Sequence, residues 1–128
     1  MTRQFLIITQ VIHIHDELVR EFGGAFGIRD EGVLESAVVR PAMGYYDSLA
    51  AEAAALMESL FNNHPFVDGN KRVAFFVTDI FLRMNGSFID CDGEEAYKHL
   101  MGLFDTNTFR FAELHTWLCE HVKSLKAL

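Results

Sequence analysis

The stretch Asn70-Lys71-Arg72-Val73-Ala74-Phe75-Phe76-Val77-Thr78-Asp79-Ile80-Phe81-Leu82-Arg83-Met84 has apolar side chains at eight positions between Val73 and Leu82. At about 100° per residue these positions wrap the whole circumference of a helix. A helix apolar all round is normally enclosed by others, so this segment is expected to be the buried centre of the fold. Asn85-Gly86 supplies its stop signal.

Around that centre the hydrophobic spacing predicts about five more helices. Phe5–Ile8 reads as a short edge strand or an extended lead-in, and Thr9 as the N-cap of a first helix. That helix carries Val11, Ile14, Leu18 and Phe22 on one face and ends at Gly23-Gly24. A glycine-containing loop runs to Arg29, and Asp30 caps a short second helix with Val33, Leu34, Ala37 and Val38, limited by Pro41. Ser48 opens a third through the alanine run 50–55 to Phe61, closed by Asn62-Asn63. Ser87–Ile89 reads as briefly extended, and Asp92 with Glu95 as a capping-box start for a fifth helix to about Leu103. The sixth carries Phe111, Leu114, Trp117, Leu118, Val122 and Leu125 on one stripe. No repeat, linker or composition break interrupts the chain. The expectation is an all-α, mostly helical domain over residues 1–128, a central buried helix with about five around it and room for a minor strand at the N-terminus.

The chain has 128 residues, 50% hydrophobic and 23% charged, enough to bury one core and too apolar to stay disordered. A net charge of −7 makes it a poor ligand for nucleic acid, which binds by phosphate neutralisation, so no direct nucleic-acid partner is expected. Val73–Leu82, an apolar run broken by Thr78 and Asp79, is too short to span a bilayer. Met1–Gln4 before Phe5–Ile8 imitates a leader weakly, but no small-residue cleavage site follows. Cys91 and Cys119 read as reduced thiols, and the protein as cytoplasmic, with no membrane partner.

Just before the fourth helix stands His64-Pro65-Phe66-Val67-Asp68-Gly69-Asn70-Lys71-Arg72. A simple connection between two apolar helices needs no such inventory. Gly69-Asn70 places a turn where the first N–H groups of the helix lack partners and carry the positive end of its dipole, an arrangement that suits a phosphate. Lys71 and Arg72 in the first turn oppose that dipole, which is locally unfavourable unless an anion sits nearby. Asp68, beside such an anion, is the usual protein contribution to a magnesium site. His64 is the side chain suited to take a hydroxyl proton near neutral pH, and Phe66 would point inward and pin the loop. A base, a metal carboxylate and a phosphate cradle together describe transfer of a phosphorus-containing group from a nucleotide to a hydroxyl. Taken singly, His64 reads as a loop histidine and Asp68-Gly69 as a turn; their spacing within nine residues favours the chemical reading. Arg29, in its glycine-rich loop, reads either as a cover for nucleotide or target or as a solvated surface arginine.

The nine residues resemble the Fic/Doc family signature His-x-Phe-x-(Asp/Glu)-Gly-Asn-(Gly/Lys)-Arg, matched at His64, Phe66, Asp68, Gly69, Asn70, Lys71 and Arg72. Gly27-Ile28-Arg29-Asp30, Leu34-Glu35-Ser36-Ala37, Arg40-Pro41 and Phe81-Leu82 with Asn85-Gly86 extend the resemblance, which is closest to the death-on-curing (Doc) branch. The resemblance implies His64 as general base, Asp68 as magnesium ligand, Gly69 and Asn70 as the anion-binding turn, Arg72 as phosphate ligand and Phe66 as structural. Members that transfer AMP usually have glycine at the place of Lys71 and a second arginine at the place of Phe75. The lysine accompanies a reversed nucleotide in the Doc branch, so the resemblance implies phosphoryl transfer from ATP or another nucleoside triphosphate, with Mg2+, to a serine or threonine of a protein. Elongation factor Tu is the target the likeness suggests, and arrest of translation the effect. AMP transfer is the alternative, and a non-catalytic partner-binding module the second. Self-restrained members carry an inhibitory Ser/Thr-x-x-x-Glu helix; here Ser48 to Glu52 reads as chance, so a small separate antitoxin is the expected partner, marked by an apolar surface groove.

Other histidines carry less. His13 and His15 stand about 200° apart on a helix, which argues against a shared metal, and His115 and His121 are also off-face. Cys91, Cys119 and these histidines have no recognisable zinc spacing. Phe75, Phe76, Phe81 and Trp117 read as core aromatics and Glu94-Glu95 as a helix start.

Overall fold

The computed structural model describes residues 2–127; Met1 and Leu128, the outermost residues of the expected domain, lie outside the described residues. Six α-helices are formed among them: α1 Ile8–Phe22, α2 Glu31–Val39, α3 Leu49–Asn62, α4 Asn70–Met84, α5 Gly93–Asp105 and α6 Phe111–His121. A short 3-10 turn, Arg40–Met43, extends α2, with Pro41 in its first turn. Strands β1 (Ser87–Ile89) and β2 (Val122–Ser124) pair antiparallel, Ile89 opposite Val122 and Ser87 opposite Ser124. The fold is mostly helical.

Three starts follow the sequence closely. The Asp30 carboxylate accepts from the Val33 N–H at 3.0 Å, the Ser48 hydroxyl from the Ala51 N–H at 3.1 Å, and Asp92 from the N–H groups of Glu94 and Glu95. The first helix departs. Its N-cap is Ile7, and the Gln10 side chain reaches back to accept from the Ile7 N–H at 2.9 Å, so Thr9 lies inside the first turn. Among the described residues no strand forms at the N-terminus either. Residues 2–7 carry no regular secondary structure, and Gln4 exchanges both backbone groups with the Asn85 side chain, at 2.8 and 2.9 Å, instead of joining a ladder.

The centre is α3 rather than α4. Ala51–Met57, Ser59, Leu60 and Phe61 are all buried, since a run of alanines lets neighbouring helices approach on every side. α4 lays Val73, Ala74, Val77, Phe81 and Leu82 against this core, while Phe75 and Ile80 are half-buried and Phe76 is 38% exposed. The expectation of an all-round buried fourth helix, and of Phe75 and Phe76 as plain core aromatics, is corrected here: its first turns open on a cavity between α4 and α5. Phe81 and Trp117 are buried as expected. On α1 the buried stripe is Val11, His15, Leu18 and Val19; Phe22, placed inward by spacing, is half-exposed because the helix runs past the core before Gly23 ends it. α6 stops at His121, where the chain becomes extended: Val122 joins the two-stranded ladder and Leu125 falls in a 3-10 turn, so neither continues the helical stripe.

Two polar networks tie the helices. Arg40 donates to the Tyr46 hydroxyl (2.7 Å), Glu58 (2.8 Å) and Ser59 (2.8 Å), and the other Glu58 oxygen accepts from the Phe111 N–H at the start of α6 (2.6 Å). Burial opposes the Arg40 charge, but Glu58 and Tyr46 outweigh it and hold its pKa above the ordinary value. Glu52 is buried and paired with Arg3 at 2.6 Å, beside Gln4 and therefore at the Asn85 end of α4, and Ser48 caps its own helix; the Ser48–Glu52 string is structural. Cys91 and Cys119 are free, and desolvation together with Glu95, Asp92 and Asp90 pushes the Cys91 thiol pKa up. No helix among the described residues is long and apolar enough to cross a membrane.

Glu58→Ala strands a partly buried guanidinium and uncaps α6. It is expected to cost about 1.5–3 kcal/mol in urea unfolding. Lys98→Ala, which breaks the exposed pair with Glu94, is expected to change stability by less than about 0.5 kcal/mol.

Candidate active site

α3 ends at Asn62 and α4 starts at Asn70, so residues 63–69 must reverse the chain within one tight loop. Its pivot is Asn70. The Asn70 carboxamide oxygen accepts from the Phe66 N–H at 2.9 Å and its NH2 donates to the Phe66 carbonyl at 3.0 Å, both buried. Phe66 is sealed in the core as expected, 1% exposed. The Asn70 side chain is thus spent on the loop, and what it offers a ligand is its backbone N–H.

Gly69 is the N-cap of α4 and sits in the left-handed region, φ 76°. No side chain caps the helix and its first turn holds no acidic residue. The N–H groups of Asn70, Lys71 and Arg72 therefore lie at an uncapped positive helix end. Lys71 leans over the Phe104 ring at 4.6 Å and Arg72 over the Phe22 ring at 4.6 Å, one on each flank. Among the described residues neither has a carboxylate within ion-pair distance.

The loop 23–30 closes over this turn. Val67 N–H donates to the Gly27 carbonyl at 3.0 Å, and the N–H groups of Arg29 and Asp30 to the Pro65 carbonyl at 2.8 and 3.1 Å, making Ile28 and Phe66 an antiparallel bridge. Arg29 does not extend over the cavity. Its guanidinium donates to the carbonyls of His64 and Asn63, the latter at 2.8 Å, and so clamps the turn in which His64 holds a left-handed backbone, φ 48°. A left-handed non-glycine residue costs about 1–2 kcal/mol, which the clamp offsets.

Asp68 is exposed but oriented. One carboxylate oxygen accepts from the Ala25 N–H at 3.1 Å and the other from the Gly69 N–H at 2.9 Å. Each oxygen keeps a lone pair for a further ligand. No cluster of three or more His, Cys, Asp or Glu exists among the described residues, so a metal here would be held by one carboxylate plus oxygens of a bound ligand. That donor set fits magnesium with phosphate.

His64, Asp68, Gly69, Asn70, Lys71 and Arg72 all line one cavity of about 650 Å³. Its far wall is apolar: Phe75 and Phe76 from α4, Ala96, Tyr97 and Leu100 from α5. The His64 side chain is exposed and lies on this cavity. With a cationic turn on one side and an aromatic and aliphatic wall on the other, the cavity can receive a ligand that is anionic at one end and apolar at the other.

Three parts of the site are not evident in the sequence. The α5 wall reads there only as a helix start. His15, which spacing argues against as a shared metal ligand, is buried under the loop, and its place four after Val11 and three before Leu18 on the inward stripe is the available signal. Gly24, read as a helix stop, approaches Asp68 so closely that a Cβ there would stand 2.8 Å from the carboxylate oxygen. Gly24→Ala, at φ 111°, is expected to destabilise by about 1–3 kcal/mol in urea unfolding. Gly102→Ala, inside α5 with open space around it, is expected to stabilise by about 0.5–1 kcal/mol.

Comparison with known sequences gives the family. The Fic/DOC family profile matches residues 5–82, more than half of the chain and including the whole loop and α4 as far as Leu82. A protein named Toxin Doc from Mycolicibacterium smegmatis is 43% identical over 76 residues, covering 56% of this chain and 58% of that relative. The chain thus spans little more than half the length of the relative it matches. With the signature loop folded at the mouth of a cavity and the profile running through it, this chain belongs to the Fic/Doc family.

Proposed function

We propose that this protein is a nucleotide-dependent transferase acting on protein hydroxyls, carried on a single domain over residues 1–128. In this reading it moves the terminal phosphoryl group of ATP or another nucleoside triphosphate to a serine or threonine. It acts in the cytoplasm as the toxin of a toxin–antitoxin pair, restrained by a small partner protein. Elongation factor Tu is the proposed target, by likeness to the Doc branch, and the relative named Toxin Doc supports the toxin role. The single observation that carries the chemistry is the exposed imidazole of His64 on the same cavity as the uncapped, doubly cationic start of α4.

The roles divide by position. The N–H groups of Asn70 and Lys71 and the side chains of Lys71 and Arg72 bind the phosphates at the left-handed turn of Gly69. Asp68 would hold magnesium in company with phosphate oxygens. When bound, that ion neutralises phosphate charge. The wall of Phe75, Phe76 and Leu100 receives the less polar end of the nucleotide. His64 takes the proton of the target hydroxyl as its oxygen bonds to the terminal phosphorus; the bond from that phosphorus to the bridging oxygen breaks and the diphosphate leaves. Arg29 acts by fixing the His64 turn rather than by covering the nucleotide. Phe75 stands where AMP-transferring members carry a second arginine, and it gives the cavity an apolar wall there. This, with Lys71 in the turn, favours phosphoryl over AMP transfer.

Incubation of the protein with elongation factor Tu and labelled ATP tests the reading. Label is expected from the γ position, falling about 10²–10⁴-fold in His64→Ala with an unchanged unfolding midpoint. Label from the α position alone establishes AMP transfer and overturns the phosphoryl assignment. Growth arrest that persists on expressing His64→Ala overturns the enzyme in favour of a binding module.

A further inference from the structure

His15 belongs to α1, outside the signature loop, and is 1% exposed. Its ring lies flat against Phe66, with centroids 3.8 Å apart and planes 4° from parallel. Its Nε2 is 2.7 Å from the backbone carbonyl oxygen of Asp68, and a Cβ on Gly69 would stand 3.6 Å from the same nitrogen. One imidazole therefore stacks on Phe66, bonds to the Asp68 carbonyl and faces the open side of Gly69. A carbonyl oxygen has no proton to give, so Nε2 carries one and donates it. Nδ1 is buried with no hydrogen-bond partner among the described residues; the nearest carboxylate oxygen among them, on Asp16, is 3.7 Å away.

We propose that His15 is the positioning residue of the site, locking the Asp68–Gly69 peptide so that the Asp68 carboxylate and the helix entrance face the cavity. In a trans peptide the C=O and N–H point in opposite directions. Holding the Asp68 carbonyl toward α1 turns the Gly69 N–H outward, where it donates to the Asp68 side chain at 2.9 Å. That contact and the Ala25 N–H aim the carboxylate. Without the His15 donor the peptide is free to rotate between two residues, one of them a glycine, and both contacts are lost together. Packing alone does not require this: phenylalanine fills the space and keeps the stack but cannot donate. The catalytic meaning of the lock rests on the function proposed above, while the lock itself stands on geometry.

The test separates the two. In the 15N spectrum of the wild-type imidazole, His15 is expected with Nε2 protonated and Nδ1 bare; a bare Nε2 overturns the proposal without any variant. His15→Phe is expected to shift the Gly69 and Asn70 amide resonances and to weaken MgATP binding about tenfold, measured by calorimetry. His15→Gln, whose amide offers a donor near the Nε2 position, is expected to restore both toward wild type. Gly69 and Asn70 resonances unchanged in a folded His15→Phe, or a His15→Gln no better than His15→Phe, overturns the proposal. Absence of MgATP binding by wild type refutes the nucleotide function, and the imidazole and amide spectra still decide the role of His15.

Discussion

The two hydrogen bonds between the Asn70 side chain and the Phe66 backbone constrain everything that the candidate site does. They make the loop fold back on the first residue of the helix that it enters, in a buried place where an unpaired amide would cost about 1–3 kcal/mol. With Phe66 anchored, Pro65 and Val67 present their backbone to the loop 23–30, His64 is left on the outside of the turn, and Asp68 and Gly69 must cover the step into α4. The loop is thus rigid where it meets the core and chemically equipped where it meets solvent.

That division has an electrostatic counterpart. A chain of net charge −7 concentrates two cations without a carboxylate partner among the described residues, a helix N-terminus without a side-chain cap and a left-handed glycine at one point. Each feature is locally unfavourable or neutral for stability: an acidic cap would suit the dipole better, and Lys71 and Arg72 gain only an aromatic face apiece. Sequences break local rules of this kind where function demands it. The cost is affordable because α3 and the buried face of α4 supply the core independently of the entrance.

Much of the helical frame was legible because its signals are local. Asp30, Ser48 and Asp92 cap where their side chains can reach the next turn, and Asn85-Gly86 stops α4. One error is local: Thr9 has the chemistry of a cap, but its neighbour Gln10 closes the turn at Ile7. The others arise where distant partners decide, as where Val122 continues an apolar stripe but pairing with β1 draws it into a strand. Phe75 and Phe76 read as core because periodicity records hydrophobicity and not whether a neighbour covers it. At the site, the nine-residue loop was visible as an anomaly of composition. Its supports were less so: Arg29 acts on backbone carbonyls and Gly24 by close approach, neither of which leaves a mark in spacing, while the place of His15 on the inward stripe of α1 marks its burial but not the ring that it stacks on.

In the proposed function the entrance of α4 receives the charged end of a nucleotide beneath His64. A crystal grown with magnesium and a non-hydrolysable ATP analogue is expected to show phosphate density against the N–H groups of Asn70 and Lys71, with Arg72 and Asp68 in contact and the His64 ring open to solvent above it. Phosphates bound elsewhere, or this cavity vacant at saturating analogue, overturn that assignment.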